Sequence, residues 1–88
     1  MPTISFFYGI AIRMYYNDHN PPHFHARYGQ AQAIIRISDG AILAGELPPT
    51  ALRMVGDWAI ARRAELEQNW ERGRQQLPFE RIAGPDND

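Results

Sequence analysis

Asp18, His19, His23 and His25 fall within eight residues, in the stretch NDHNPPHFHARY from Asn17 to Tyr28, which contains every histidine of the chain. Two chemistries fit these residue types. Residues two apart on a strand face the same way, so His23 and His25 can put two ring nitrogens on one ion at about 2.0–2.1 Å. His19, across the Asn20-Pro21-Pro22 turn, is then a third candidate ligand and Asp18 a fourth. Zinc, nickel and iron all suit imidazole and carboxylate donors. The second chemistry is metal-free cleavage of an RNA phosphodiester. Histidine titrates near neutrality, so His23 and His25 can serve as acid and base. Arg27 and Arg36 can clamp the phosphate, and Tyr15 or Tyr16 can stack a base. A purely architectural alternative also holds: Asn17 and Asp18 cap a turn, the prolines stiffen it, and His19 bonds the backbone.

Several other chemistries are excluded. The sequence contains no cysteine, hence no disulfide, thiolate zinc site or iron–sulfur cluster. Ser5 and Ser38 sit in no nucleophile elbow, and there is no glycine-rich phosphate loop or zinc-protease helix motif. A cupin adds a glutamate soon after its histidine pair, and Ala26–Gln32 supplies none. The net charge is −1, so the chain as a whole is no polycation for nucleic acid. All nine basic residues are arginine, a usage that either GC-rich codons or bidentate anion recognition accounts for.

The elements that position these residues can be read from periodicity. Residues 3–7 pair as a short strand, and Gly9 eases a turn or bulge. Ile10, Ile12, Met14 and Tyr16 alternate with Ala11, Arg13 and Tyr15. Phe24, Ala26 and Tyr28 alternate with His23, His25 and Arg27. Gly29-Gln30 has the form of a two-residue type II′ loop, and Asp39-Gly40 is the commonest kind of hairpin dipeptide. Residues 41–47 complete an antiparallel meander of four to five strands. From Pro48-Pro49 the period changes to helical, with Ala51, Leu52, Val55, Trp58, Ala59, Leu66 and Trp70 on one face and Gly73 as a stop. This predicts one C-terminal helix of about 23 residues, roughly 35 Å long. The expected fold is α+β, a two-layer sandwich with that helix on one sheet face. The domain spans residues 1–83, with 84–88 a frayed acidic tail and LPFERI a short strand or a packed arm.

The pairing set by Gly29-Gln30 places His25 opposite Ile34 and His23 opposite Arg36. A tight loop at Asp39-Gly40 then places Leu43 beside Arg36. The face away from the helix thus carries Arg13, Arg27, Ile34, Arg36 and Leu43 around the two histidines. Such a mixed apolar and cationic patch suits a partner-binding surface. A second copy of the chain, another protein or the C-terminal arm fits it. The sequence has no apolar run of about 20 residues and no basic signal-peptide start, so a cytoplasmic address without membrane association is expected.

MPTI, then FYGIAIRMYYNDHNPPHFHARYG from Phe7 to Gly29, LPPTALRMVGDW from Leu47 and NWER from Asn69 resemble the bacterial domain-of-unknown-function family 4160. The likeness runs from Met1 to about Ile82 and matches the motif at Asp18, His19, Pro21, Pro22, His23, Phe24, His25 and Tyr28. The family carries no assigned activity. The resemblance implies a toxin–antitoxin-like pair, with a small protein partner encoded nearby, and it transfers no catalytic residue. Only the GPDND tail departs from the pattern.

Overall fold

A computed structural model describes residues 2–85. Five strands, β1 (Thr3–Phe7), β2 (Ile10–Arg13), β3 (His23–Tyr28), β4 (Ala31–Arg36) and β5 (Ile42–Glu46), precede two helices, α1 (Pro49–Ala61) and α2 (Arg63–Arg74). The strands form one antiparallel sheet in the order β1-β2-β3-β4-β5, the expected meander. Two connections are two-residue loops. Tyr8 and Gly9 both have positive φ, 51° and 80°, as a type I′ turn requires. At Gly29 φ is 61°, and the β3–β4 register runs from Tyr28↔Ala31 through His25↔Ile34 to His23↔Arg36, as the loop length predicts.

The β4–β5 connection is wider. Gly40 donates its N–H to the Arg36 carbonyl at 2.9 Å, and of Asp39 and Gly40 only the glycine has positive φ. Asp39 spends its carboxylate on the Ala41 N–H (3.0 Å) and on the Arg36 guanidinium (2.8 Å and 2.9 Å). That local bonding replaces the tight turn. The register then slips between Ile34 and Ile35, with Ile34 opposite Ala44 and Ile35 opposite Ile42. Leu43 therefore has no pairing partner in β4 and does not stand beside Arg36.

The core lies on the face of Ile10, Ile12, Phe24, Ala26, Ala33 and Ile35, all essentially buried. Trp58 of α1 meets Phe24 edge-on at 5.9 Å and Phe7 at 5.1 Å. Each large apolar side chain withdrawn here contributes about 1.5–3 kcal/mol. The anticipated helical stripe is buried at Ala51, Val55, Trp58, Ala59, Leu66 and Trp70, with Leu52 packed partly against it.

The single long helix is corrected to two, of 13 and 12 residues. They meet at Arg62, where φ is −112° and ψ 20°. The apolar stripe continues in phase from Ala59 to Leu66, so a straight helix would aim Arg62 at the sheet. The break lets its guanidinium turn out to Glu65, 3.2 Å away. The simple two-layer picture changes as well, because Trp70 of α2 lies 5.2 Å from the ring of His23, on the strand side opposite Phe24.

After α2 the chain returns as an arm. Ile82 is buried and donates its N–H to the Ile4 carbonyl at the edge of β1, 2.8 Å away. Trp58 donates its indole N–H to the Ala83 carbonyl (2.8 Å). Asn69, 1% exposed, bonds both the carbonyl and the N–H of Glu80. LPFERI is thus a packed arm rather than a strand. Of the expected frayed tail, Gly84 is buried, and residues 86–88 lie outside the described residues.

Candidate metal centre

The segment between β2 and β3 delivers Asp18 to the start of β3. Its apex is tied to the end of α2. Asn17, with φ 55°, donates its N–H to the Gly73 carbonyl (3.3 Å), and Tyr16 stacks on Phe79 of the arm at 4.5 Å. A Cβ on Gly73 would stand 2.9 Å from the Phe79 ring, so glycine is what permits this close approach. The Asn20–Pro21 peptide is cis. Pro22 accepts the Ile37 N–H at 3.0 Å, which continues the β3–β4 pairing by one step.

Three side chains converge. Asp18 Oδ2 lies 2.9 Å from His23 Nε2 and 3.5 Å from His25 Nε2. One donor atom from each of the three falls within 4.8 Å of the others. Ligands at 2.0–2.1 Å from a tetrahedral ion stand about 3.3 Å apart, so these separations are close to what a shared ion needs. His23 donates its Nδ1 proton to the Pro21 carbonyl (2.7 Å), which aims Nε2 at the carboxylate. Asp18 Oδ1 accepts the backbone N–H of His19 (3.0 Å). Both ligands are therefore oriented by outer partners, as ligands of metal sites usually are.

The rings are partly enclosed. Trp70 covers His23, whose side chain is 10% exposed, and Tyr15 meets His25 edge-on at 4.6 Å. Burial pushes the carboxyl of Asp18 up. The His19 N–H and the two histidines outweigh it and hold the group below its ordinary value. Burial pushes His25 down, and the charge of His23 adds to this against the opposing pull of Asp18. The result favours an ionised carboxylate and a neutral imidazole, the forms that bind metal.

His19 is not one of the three converging donors: its side chain is 92% exposed, and its Nδ1 stands 3.3 Å from Oδ1 of Asp18, the oxygen not shared with His23 and His25. Arg27 donates to the Gly29 carbonyl at 3.1 Å, and Arg36 is held by Asp39. Arg13 is opposite His25 in the β2–β3 register, and Ile34 is opposite it in β3–β4. His25, Arg13, Ile34 and Arg36 are partly exposed; His23 is buried, not on a wet face. Leu43 is exposed on the outer strand. Sequence reasoning missed the carbonyl of Pro21 and the lids formed by Trp70 and Tyr15. Spacing carries no signal for a backbone carbonyl.

The model of one family, described as a domain of unknown function (DUF4160), matches residues 9–71. The chain belongs to that family. The matched region of this DUF4160 chain contains Asp18, His23, His25 and Trp70, whereas the arm beyond α2 lies outside it. No curated protein and no solved structure matches the chain. Among the described residues no helix is long and apolar enough to cross a membrane.

Proposed function

We propose that the protein binds one divalent transition ion through Asp18, His23 and His25, with zinc or iron(II) the best-suited ions. One observation carries this reading. The Pro21 carbonyl can only accept, so Nδ1 of His23 donates there and Nε2 is left facing a carboxylate oxygen of Asp18 at 2.9 Å, with Nε2 of His25 3.5 Å from the same oxygen. A nitrogen and a carboxylate oxygen so placed can share a proton or a metal ion, and the convergence of a third donor, one atom from each residue within 4.8 Å of the others, suits the metal ion. His25 adds support, because its Nε2 is buried without a hydrogen-bond partner. Two imidazoles and one carboxylate leave coordination positions open, as in catalytic zinc sites and non-haem iron sites.

The test is elemental analysis and zinc titration of tag-free protein. One equivalent is expected, lost in Asp18→Ala and His25→Ala and retained in His19→Ala. Equal zinc binding by wild type and the Asp18→Ala/His25→Ala double variant, or none by wild type at micromolar zinc, defeats the proposal. Metal-free RNA cleavage by His23 and His25 is less favoured, since Nδ1 of His23 is held by the Pro21 carbonyl and its Nε2 is directed at Asp18.

A second reading, a partner surface within a toxin–antitoxin-like pair, draws support from β5. This edge strand is exposed throughout and carries Ile42 and Leu43. Exposed edges of this kind are ready templates for pairing with another chain. Copurification with the product of the neighbouring gene should weaken in Leu43→Glu, and equal recovery with wild type removes this reading.

A further inference from the structure

Arg13, His25, Ile34 and Ala44 lie side by side across β2, β3, β4 and β5. Of the arginines on this face, Arg27 and Arg36 already have acceptors. Arg13 does not: its Nε is buried without a hydrogen-bond partner, and none of the ion pairs among the described residues includes it. A half-buried guanidinium without a counter-charge is an unfavourable arrangement that an anion would relieve. On the other side of His25 a cleft of about 340 Å³ is lined by His25, Gln32, Ala33, Ile34, Ala44 and Gly45. A Cβ at Gly45 would overlap the backbone of Gln32, so glycine is what lets β5 close on β4 at this wall of the cleft. His25 is thus flanked on one side by Arg13, which has no acidic partner among the described residues, and on the other by the cleft walled by Ile34 and Ala44.

We infer that the metal centre and Arg13 together bind an oxyanion, the head group of a small phosphate ester or carboxylate whose apolar body lies along Ile34 and Ala44. The inference rests on the metal reading above. An oxyanion can occupy an open coordination position and accept a bidentate pair of hydrogen bonds from the guanidinium. Residues of the sheet supply both the head-group cation and the walls for the body.

The test uses tag-free protein loaded with cobalt(II), whose visible absorption reports its ligands. Inorganic phosphate, acetate and butyrate are titrated into wild type, Arg13→Gln and Arg13→Lys, with circular dichroism to verify folding. All three proteins should take up the same cobalt. At least one oxyanion should perturb the wild-type spectrum, bind at least tenfold more weakly to Arg13→Gln, and recover part of that loss in Arg13→Lys. Butyrate ahead of acetate supports a carboxylate with its body in the cleft, and phosphate ahead of both supports an ester. A loaded wild type that ignores all three anions overturns the inference while leaving the metal reading standing, as does Arg13→Gln binding them as wild type does. Failure of cobalt to bind at all removes the metal reading and this one with it.

Discussion

His23 gives its Nδ1 proton to the carbonyl of Pro21 across 2.7 Å, and this one bond decides which nitrogen faces Asp18. Metal binding should therefore leave Nδ1–H in place and change only the far side of the ring. Long-range proton–nitrogen NMR on labelled protein should show Nδ1 of His23 protonated both before and after zinc addition, with the Nε2 resonance moving. A ring that loses its Nδ1 proton on loading contradicts the geometry described above.

Acid sensitivity should appear away from the centre too. The Arg36 guanidinium and the Ala41 N–H hold the carboxyl of Asp39 down to about 2. A depressed carboxyl favours the folded state above its unfolded value, and that contribution is lost as pH falls toward about 2. Carbon-detected titration should find Asp39 well below an ordinary aspartate in wild type. In Arg36→Gln it should move back up toward the ordinary range. No upward movement would mean that the ion pair does not set the value.

Two glycines of positive φ should respond very differently to alanine. Gly29 (φ 61°) has open space around it, whereas a Cβ on Gly45 (φ 75°) would run into the backbone of Gln32. Gly29→Ala bears only the left-handed backbone cost, about 1 kcal/mol. Gly45→Ala adds a clash with main chain that cannot rotate aside, for about 3 kcal/mol in all. Urea unfolding of the two variants should separate their midpoints clearly. Equal midpoints would show that β5 shifts freely.

Those glycines also show which parts of the fold could be read from residue order. The Gly29-Gln30 loop and strict alternation brought His25 opposite Ile34 correctly, because a two-residue loop leaves one register. Asp39-Gly40 misled, because the Asp39 side chain bonds Arg36 and Ala41 and opens the loop, which displaces Leu43. The helix break at Arg62 is invisible to periodicity, since the stripe stays in phase across it. Asp18, His23 and His25 were nameable from residue type. That His19 stays outside the cluster depends on the loop conformation, which spacing does not encode. Asn69 was legible and overlooked: it shares the helical face of Leu66, Trp70 and Gly73, and a polar residue there must find a partner.

Gly73 joins the helix end to the site loop, so filling it should be felt at both. Alanine gains about 1 kcal/mol of helix propensity over glycine. Its Cβ would press on the Phe79 ring at 2.9 Å and 3.1 Å, and that ring is stacked on Tyr16. Gly73→Ala should therefore destabilise by about 1–2 kcal/mol net. Most of that loss should disappear in a Phe79→Ala background, measured as a double-mutant cycle by thermal unfolding. Additive effects would mean that the contact is not where the strain lies.

Asn69 fastens the arm to α2 by closing both main-chain groups of Glu80, at 2.8 Å and 2.9 Å. Removing the amide leaves a donor and an acceptor without partners at a nearly buried site, for about 2–3 kcal/mol. Asn69→Asp should do no better than Asn69→Ala, because a carboxylate still serves the Glu80 N–H but repels the Glu80 carbonyl. Arg81 is already exposed, and once freed the arm lets its main chain enter a protease and releases the edge of β1, where Ile82 donates to Ile4. Trypsin should then cut after Arg81 several-fold faster in both variants while the rest of the chain persists. Zinc binding should survive, since Asp18, His23 and His25 take nothing from the arm except the packing of Phe79 on Tyr16. If cleavage at Arg81 is no faster, the arm is held chiefly by Ile82 and by the Trp58 bond to Ala83, and Asn69 is secondary to them.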